Sequence, residues 1–475
     1  MSVPWGSQGV VQFELPPTGG KKVSAAFDGG RISSDGGVLL LAAAERESGI
    51  VDTLAPLFPD HRNPAFVTHP MADIVRARVL AIATGYEDAD DLDMLRSDPA
   101  FKLACGRLPD SGEDLCSQPT VSRMENAPTL RDVIRMNGAM IDMYCASYAM
   151  PPESVTLDID DTCDVVYGNQ KPAVFNAHYH EYCFLPIHVY DAESARPVMM
   201  VLRSGKTPSG KEIRCHVRRM VRRIRSHWPD TRITIRGDSH YGRHEVMEWC
   251  EANGVGYIFG LSGNDVLDRM VEPIADDVRV RRAEAQAGLD LMRDTTPPAD
   301  AALLQRAEAQ AAAVRRHTEI LYGAKSWKCE RRVIARIEAT PKGLDIRYIV
   351  TSLPGGSPEC IYESIYCARG RMENMIKLHK TQLHSDRTSC CSPIANQVRL
   401  ILHTAAYWIL LTVREKIPLV QPLAVAEFKT LQMHLVKVGA CITEKAKRVR
   451  IAFSSACTEV DLFCGLINSF LPAGP

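Results

Sequence analysis

Between Val155 and Leu261 the chain alternates short apolar runs with two helical stretches, and that order leaves few folds open. VTLDIDD is an apolar run ending in acids. FLPIHVYD and PVMMVLRSG follow across turns, so the three read as a meander of strands. EIRCHVRRMVRRIRSHW changes the period: Ile213, Val217, Met220, Val221 and Ile224 recur at three and four spacing, the stripe of an amphipathic helix ringed by arginine. RITIRGDS is a fourth strand ending in an acid, HEVMEWCEANG a helix stopped by Gly254, and VGYIFGLSG a fifth strand. This succession predicts an α/β core.

The flanks read differently. Residues 25–50 are an extended lead-in with glycine turns and then a helix, and Pro70 to Tyr148 is mostly helical. Within it, SQPTVSRMENA predicts a short helix with Ser117 as its cap and Pro119 in the first turn. That helix presents Thr120, Ser122 and Arg123, the residue types that helix-turn-helix proteins turn toward base edges or phosphates; an ordinary packed helix is the plain alternative. Residues 262–358 interrupt the core with Ala- and Arg-rich helix followed by a hairpin or small sheet. The core resumes with the helix YESIYCARGRMENMIKLHKTQLH. The expected division is therefore a mainly helical domain over 1–150, the first part of the core over 151–261 and an insertion over 262–358. The second part of the core then spans 359–410, and a C-terminal region 411–475.

Of 475 residues, 45% are hydrophobic and 24% charged, which excludes disorder over most of the length. Fifteen scattered cysteines without a C-x-x-C pair read as free thiols in a reducing compartment, neither a disulfide framework nor a zinc site. The opening residues lack the pattern of a signal peptide. Ile401 to Val413 is too short to span a membrane and carries His403, so it predicts a buried helix; the expected location is the cytoplasm, with no membrane partner. Net charge is −1, but 1–150 holds 13 basic against 20 acidic residues and 359–475 holds 14 against 9, so the C-terminal part is the basic one. The stretch 203–236 has eleven basic residues and only Glu212 and Asp230 as acids; it can track a phosphate backbone or be a solvated helix face.

Three acids sit where one point can gather them. Asp160 ends the first core strand, Asp238 ends the fourth, and Glu373 lies in the helix after the insertion. Carboxylates suit Mg²⁺ or Mn²⁺, and two such ions about 4 Å apart stabilise both the attacking and leaving oxygens of a phosphoryl displacement. Tyr366, Arg369, Glu373 and Lys380, read as one continuous α-helix, fall within about a 60° sector of its surface. That stripe suits DNA, with Glu373 on metal and Tyr366, Arg369 and Lys380 on phosphate oxygens; a wet helix face with an Arg369–Glu373 pair is the alternative. Trp327, between Lys325 and Lys328, is an aromatic platform on which an extruded base can stack, or a buried strand residue.

Tyr366, Arg369, Glu373 and Lys380 spell Y-x2-R-x3-E-x6-K, the signature of the YREK group of bacterial insertion-sequence transposases of the DDE superfamily, which this chain resembles without a gap. FDGGRISSDGGVLLL, SQPTVSRMEN, LDIDDT, FNAHYHEYCFLPIHVYD, LRSGK, RGDSHYG and KRVRIAF extend the resemblance over nearly the whole chain. It implies a ribonuclease-H-like catalytic core, to which the strand order also points, with an insertion before the glutamate helix. It implies Asp160, Asp238 and Glu373 as the metal-binding triad, Asp160 being preferred because Thr162 stands two residues on, although Asp158 remains open. It further implies two Mg²⁺ ions (Mn²⁺ as substitute), a homodimer on double-stranded DNA at a nucleoid, inverted-repeat ends bound by the N-terminal domain, and cut-and-paste chemistry through a hairpin end. The C-terminal region would bind DNA or the second subunit.

Two rival readings follow from the same residues. LDIDDT also resembles the first motif of haloacid-dehalogenase-type phosphatases, with Asp158 as nucleophile and Asp160 as general acid. Against it, Gly242 stands where a further acid is needed and the strands form a meander. The other rival is a non-catalytic DNA-binding protein derived from a transposase.

Overall fold

The computed structural model describes residues 12–166, 170, 173–295 and 301–471. The chain divides into two compact units. One comprises residues up to Val133, Leu378–Ser385 and Ile394 onward; the other comprises Ile134–Lys377 and Asp386–Pro393.

The first unit joins the two ends of the chain. Helices Val38–Ser48, Met71–Thr84 and Gln118–Asn126 supply a helical core, as the periodicity predicts. The strand Ala440–Lys445 pairs with Ile32–Ser33 on one side and with Arg448–Phe453 on the other, so EKAKRVR forms a hairpin turn. Ile401 to Val413 lies inside the helix Pro393–Glu415 and is buried almost throughout. Among the described residues no helix is long and apolar enough to cross a membrane.

The second unit is built on an eight-stranded mixed sheet. Seven of its elements, in chain order, are β1 (Ser154–Asp161), β2 (Ile187–Asp191), β3 (Pro197–Val201), α1 (Gly210–His227), β4 (Arg232–Gly237), α2 (His244–Ala252) and β5 (Gly256–Leu261). They follow the predicted order. β1, β2 and β3 form an antiparallel meander, while β4 runs parallel to β1 and β5 parallel to β4. In α1 the five stripe residues are all buried.

The insertion departs from expectation. α3 (Asp265–Thr295) and α4 (Ala301–Ala312) are its helices, but β6 (Val314–Tyr322), β7 (Arg331–Thr340) and β8 (Gly343–Thr351) make no separate sheet. β8 pairs antiparallel with β5, so the sheet runs β6-β7-β8-β5-β4-β1-β2-β3. The reason is apolar continuity: Tyr348, Ile349 and Val350 are buried beside Tyr257, Ile258 and Phe259. The helix after the insertion also differs from the single α-helix expected. Cys360–Tyr366 is π-helical, Cys367–Arg369 a tight 3₁₀ turn, α5 (Gly370–Lys377) α-helical, and Leu378–Gln382 π-helical again. A rotation of about 100° per residue does not hold across such turns, so the sector calculated for the four signature residues does not describe this segment.

Candidate active site

Register brings the aspartates together. Arg236 of β4 lies opposite Asp158 of β1, and side chains on one face repeat every second residue. Two residues on, the strands carry Asp238 and Asp160. The helix segment after the insertion covers this face: Ile361 and Tyr362 pack with Ile258, Ile334 and Ile349, with Tyr366 at the edge of the cluster.

Asp158 is already engaged. It is fully buried and bonded through both oxygens to Arg236, Nε to Oδ1 at 2.5 Å and Nη2 to Oδ2 at 2.7 Å. The remaining Nη1 of Arg236 donates to the Ile365 carbonyl, tying the sheet to the covering helix. Both oxygens of Asp158 are thus taken up by a structural ion pair, an arrangement that argues against its use as a phosphatase nucleophile.

Asp160 is different. Burial raises its carboxyl to about 7; the Arg369 guanidinium opposes the rise, and Asp238 and Asp161 add to it. Arg369 Nη1 stands 2.7 Å from Asp160 Oδ2, and the Asp161 N–H donates to Asp160 Oδ1 at 3.0 Å. Asp238 Oδ1 accepts from the His240 N–H at 2.8 Å. Asp161 accepts from the Tyr241 hydroxyl at 3.2 Å, and burial raises its carboxyl as well. Asp160 and Asp238 thus both act on Arg369 in a partly dry site, with Asp161 beside the two acids. Asp161, His240 and Tyr241 were the neighbours not singled out; LDIDDT and RGDSHYG contain them, but periodicity cannot show which way each points.

Glu373 is not brought to the aspartates. It is exposed on α5, whose buried residues are Met372 and Met375, and it lies one helical turn beyond Arg369. Among the described residues no three of His, Cys, Asp and Glu stand close enough to hold one ion. Tyr366 and Arg369 are half-buried against the site; burial works against the Arg369 charge, but Asp160, then Tyr366 and Asp238, raise its pKa. Lys380 is half-buried on the π-helical turn that belongs to the first unit.

Gly260 of β5 lies against the Tyr366 hydroxyl. A Cβ there would lie 2.8 Å from the Ser239 nitrogen and 2.9 Å from the Tyr366 hydroxyl, so only glycine fits. Gly260→Ala is expected to cost about 1–3 kcal/mol and to displace Tyr366. A thermal melt checks the first, and tyrosine fluorescence or a pH titration of the phenol the second.

Trp327 does not reach this site. β5 runs toward the aspartate end at Leu261, which pairs with Tyr348, whereas Ile258 pairs with Thr351 and Thr351 with Arg332. Trp327, in the turn before Arg331, is thus at the other end of the strands. Its ring is taken up, with Arg331 5.0 Å over it and Tyr322 edge-on at 5.5 Å. Lys325 is exposed, and Lys328 pairs with Glu248 at 2.7 Å. In the first unit, Thr120, Ser122 and Arg123 do lie on a short helix, as predicted, with Arg123 exposed and donating to Thr120 Oγ1 at 3.1 Å.

A mixed sheet that gathers aspartates at neighbouring strand ends under a covering arginine is a frame for chemistry on phosphate esters. The chain belongs to the family described as transposase DDE domain, group 1, whose profile matches residues 15–473. Among solved structures it is similar to a chain of the piggyBac transposase synaptic complex with hairpin DNA, at 12% identity and a TM-score of 0.43, over 94% of this chain and 87% of that one. No curated protein matches it.

Proposed function

We propose that this DDE-family transposase is an insertion-sequence enzyme of the YREK group, which binds the inverted-repeat ends of its element and cuts and rejoins DNA as a homodimer. The observation that carries the reading is the Asp160–Asp238 pair on adjacent strands, crowded by Asp161 and covered by Arg369. The strand order β3-β2-β1-β4-β5, with β2 antiparallel, supports a ribonuclease-H-like core. The crowded acids fit a divalent metal. Asp160 and Asp238 would hold it, with Glu373 of α5 as the proposed third carboxylate, and Mg²⁺ or Mn²⁺ would supply polarisation of the phosphoryl oxygen and a lowered water pKa.

The chain's own groups do the rest. Arg369 neutralises Asp160 in the free protein, and its planar guanidinium binds a phosphate with the same two-pronged geometry as a carboxylate, so it can pass from one to the other. Tyr366, wedged against Gly260, sets the depth to which a strand enters. Asp158 and Arg236 hold β1 and β4 in register beneath. Thr120, Ser122, Arg123 and Lys380 remain proposed DNA contacts in the first unit, and a hairpin end is the proposed intermediate.

An excision assay tests this reading. A marker is placed between the inverted repeats that flank the gene, and empty donor sites are scored in cells for wild type and Glu373→Gln. Excision by wild type alone is the expected result. Excision by both removes Glu373 from the site but keeps the function; excision by neither overturns the reading as an active enzyme.

A further inference from the structure

The antiparallel ladder between β1 and β2 does not end where the sheet does. It closes at Asp161 opposite Ile187 and resumes three residues on, with Asp164 opposite Phe184 and Val165 opposite Cys183. Val174, Phe175 and Asn176 then pair with Cys183, Tyr182 and Glu181. A small three-stranded sheet therefore grows directly out of the strand end that carries Asp160.

Its outer surface is aromatic and exposed. Phe175 and Tyr182 face each other across the ladder with ring centroids 5.5 Å apart, and they are 53% and 60% exposed. Tyr179, 39% exposed, sits edge-on to His178 at 4.8 Å. Burial, then Asp161, Cys163 and Asp160, push the Tyr179 hydroxyl up to about 12, in keeping with its place beside the acids.

The rings are held firmly. Asn176 Nδ2 donates to the Gly205 carbonyl at 2.7 Å, and its Oδ1 accepts from the His178 N–H at 2.9 Å. A Cβ on Gly205 would strike the Cys183 carbonyl at 2.4 Å, so the strands close tightly at that point. Lys206, the next residue, is exposed. His178 and His180 are exposed as well, and Glu181 is the one exposed acid among residues 173–184.

Exposed, rigid rings beside a phosphate-handling site match one ligand better than any other. A base that has left the duplex stack presents a flat π-face to such rings, and its phosphate needs a cation nearby. We infer that Phe175, Tyr182 and Tyr179 form a stacking platform for one or two unpaired nucleobases of the DNA strand entering the Asp160–Asp238 site, with Lys206 on the adjoining phosphate. The inference rests on the transposase reading.

Full-length protein in EDTA tests it, with a blunt duplex and the same duplex carrying a six-nucleotide single-stranded tail as fluorescent probes. Wild type is expected to favour the tailed duplex and to quench a 2-aminopurine placed in the tail. The Phe175→Ala/Tyr182→Ala double variant is expected to lose about tenfold in affinity for the tailed duplex, together with the quenching, and to bind the blunt duplex as before. The ring-keeping pair Phe175→Tyr/Tyr182→Phe should behave as wild type. Equal binding of both probes by the double variant and wild type overturns the platform. So does a double variant that changes only its self-association in sedimentation, because the face is then a protein interface. Wild type that binds neither probe overturns the transposase reading itself.

Discussion

Asp160→Asn is expected to abolish DNA cleavage while making the metal-free protein more stable above neutral pH. The first effect follows from removing a charged oxygen from the place where phosphoryl chemistry would be assisted. Such assistance contributes several kcal/mol to a transition state, so the loss should reach about a thousandfold or more. The second follows from the acid's surroundings. Burial, with Asp238 and Asp161 nearby, raises the folded-state carboxyl to about 7 from an ordinary aspartate value of 3.8. The folded chain therefore binds this proton more tightly than the unfolded chain, and stability falls as pH rises between those two values. Asparagine has no charge to crowd. The gain should be of the order of 1–3 kcal/mol at pH 8 and absent near pH 4. Cleavage of end-containing DNA and melts at the two pH values check both parts. Wild-type cleavage by the variant would remove Asp160 from the site, and a lower melting temperature at pH 8 would contradict the crowding.

Arg236→Ala should be the most damaging single change in the second unit. It strands the fully buried Asp158 carboxylate and removes the bond to the Ile365 carbonyl, which joins sheet to covering helix. Breaking a buried ion pair from one side costs about 3–5 kcal/mol, a large part of a typical domain's total. Replacing both partners by apolar side chains of similar volume is far milder, so Asp158→Leu/Arg236→Met should recover most of the loss. Urea unfolding of the single and double variants decides it. A single variant as stable as wild type would mean that the pair does not hold the sheet.

Sequence reasoning reached the parts of the fold that repeat. In α1 the apolar stripe has the helical period, and all five of its residues are buried. β1 to β5 were legible because each run is apolar, short and bounded by turns. The small sheet from Asp164 to Phe184 was not, because aromatic and polar residues there follow neither period. Nor was the joining of β8 to β5: a strand's composition shows that it pairs, not with whom. The candidate site was legible in the strand-end places of Asp160 and Asp238. It was illegible in the Arg369–Asp160 bond, which depends on a 3₁₀ turn that no spacing rule anticipates, and in the ring platform, whose letters FNAHYHEYCF carry no sign of their exposure.

The attachment of β8 to β5 also bears on how this protein keeps to itself. Without residues 262–358, Gly256–Leu261 would be the last strand of a sheet with a buried, apolar, regular edge, the kind of template on which chains pair indiscriminately. With them, the outermost strand is β6, which carries Arg315, Arg316, His317 and Glu319 in place of an apolar run. The segment that looks like an interruption thus serves as a charged hem along that edge of the sheet.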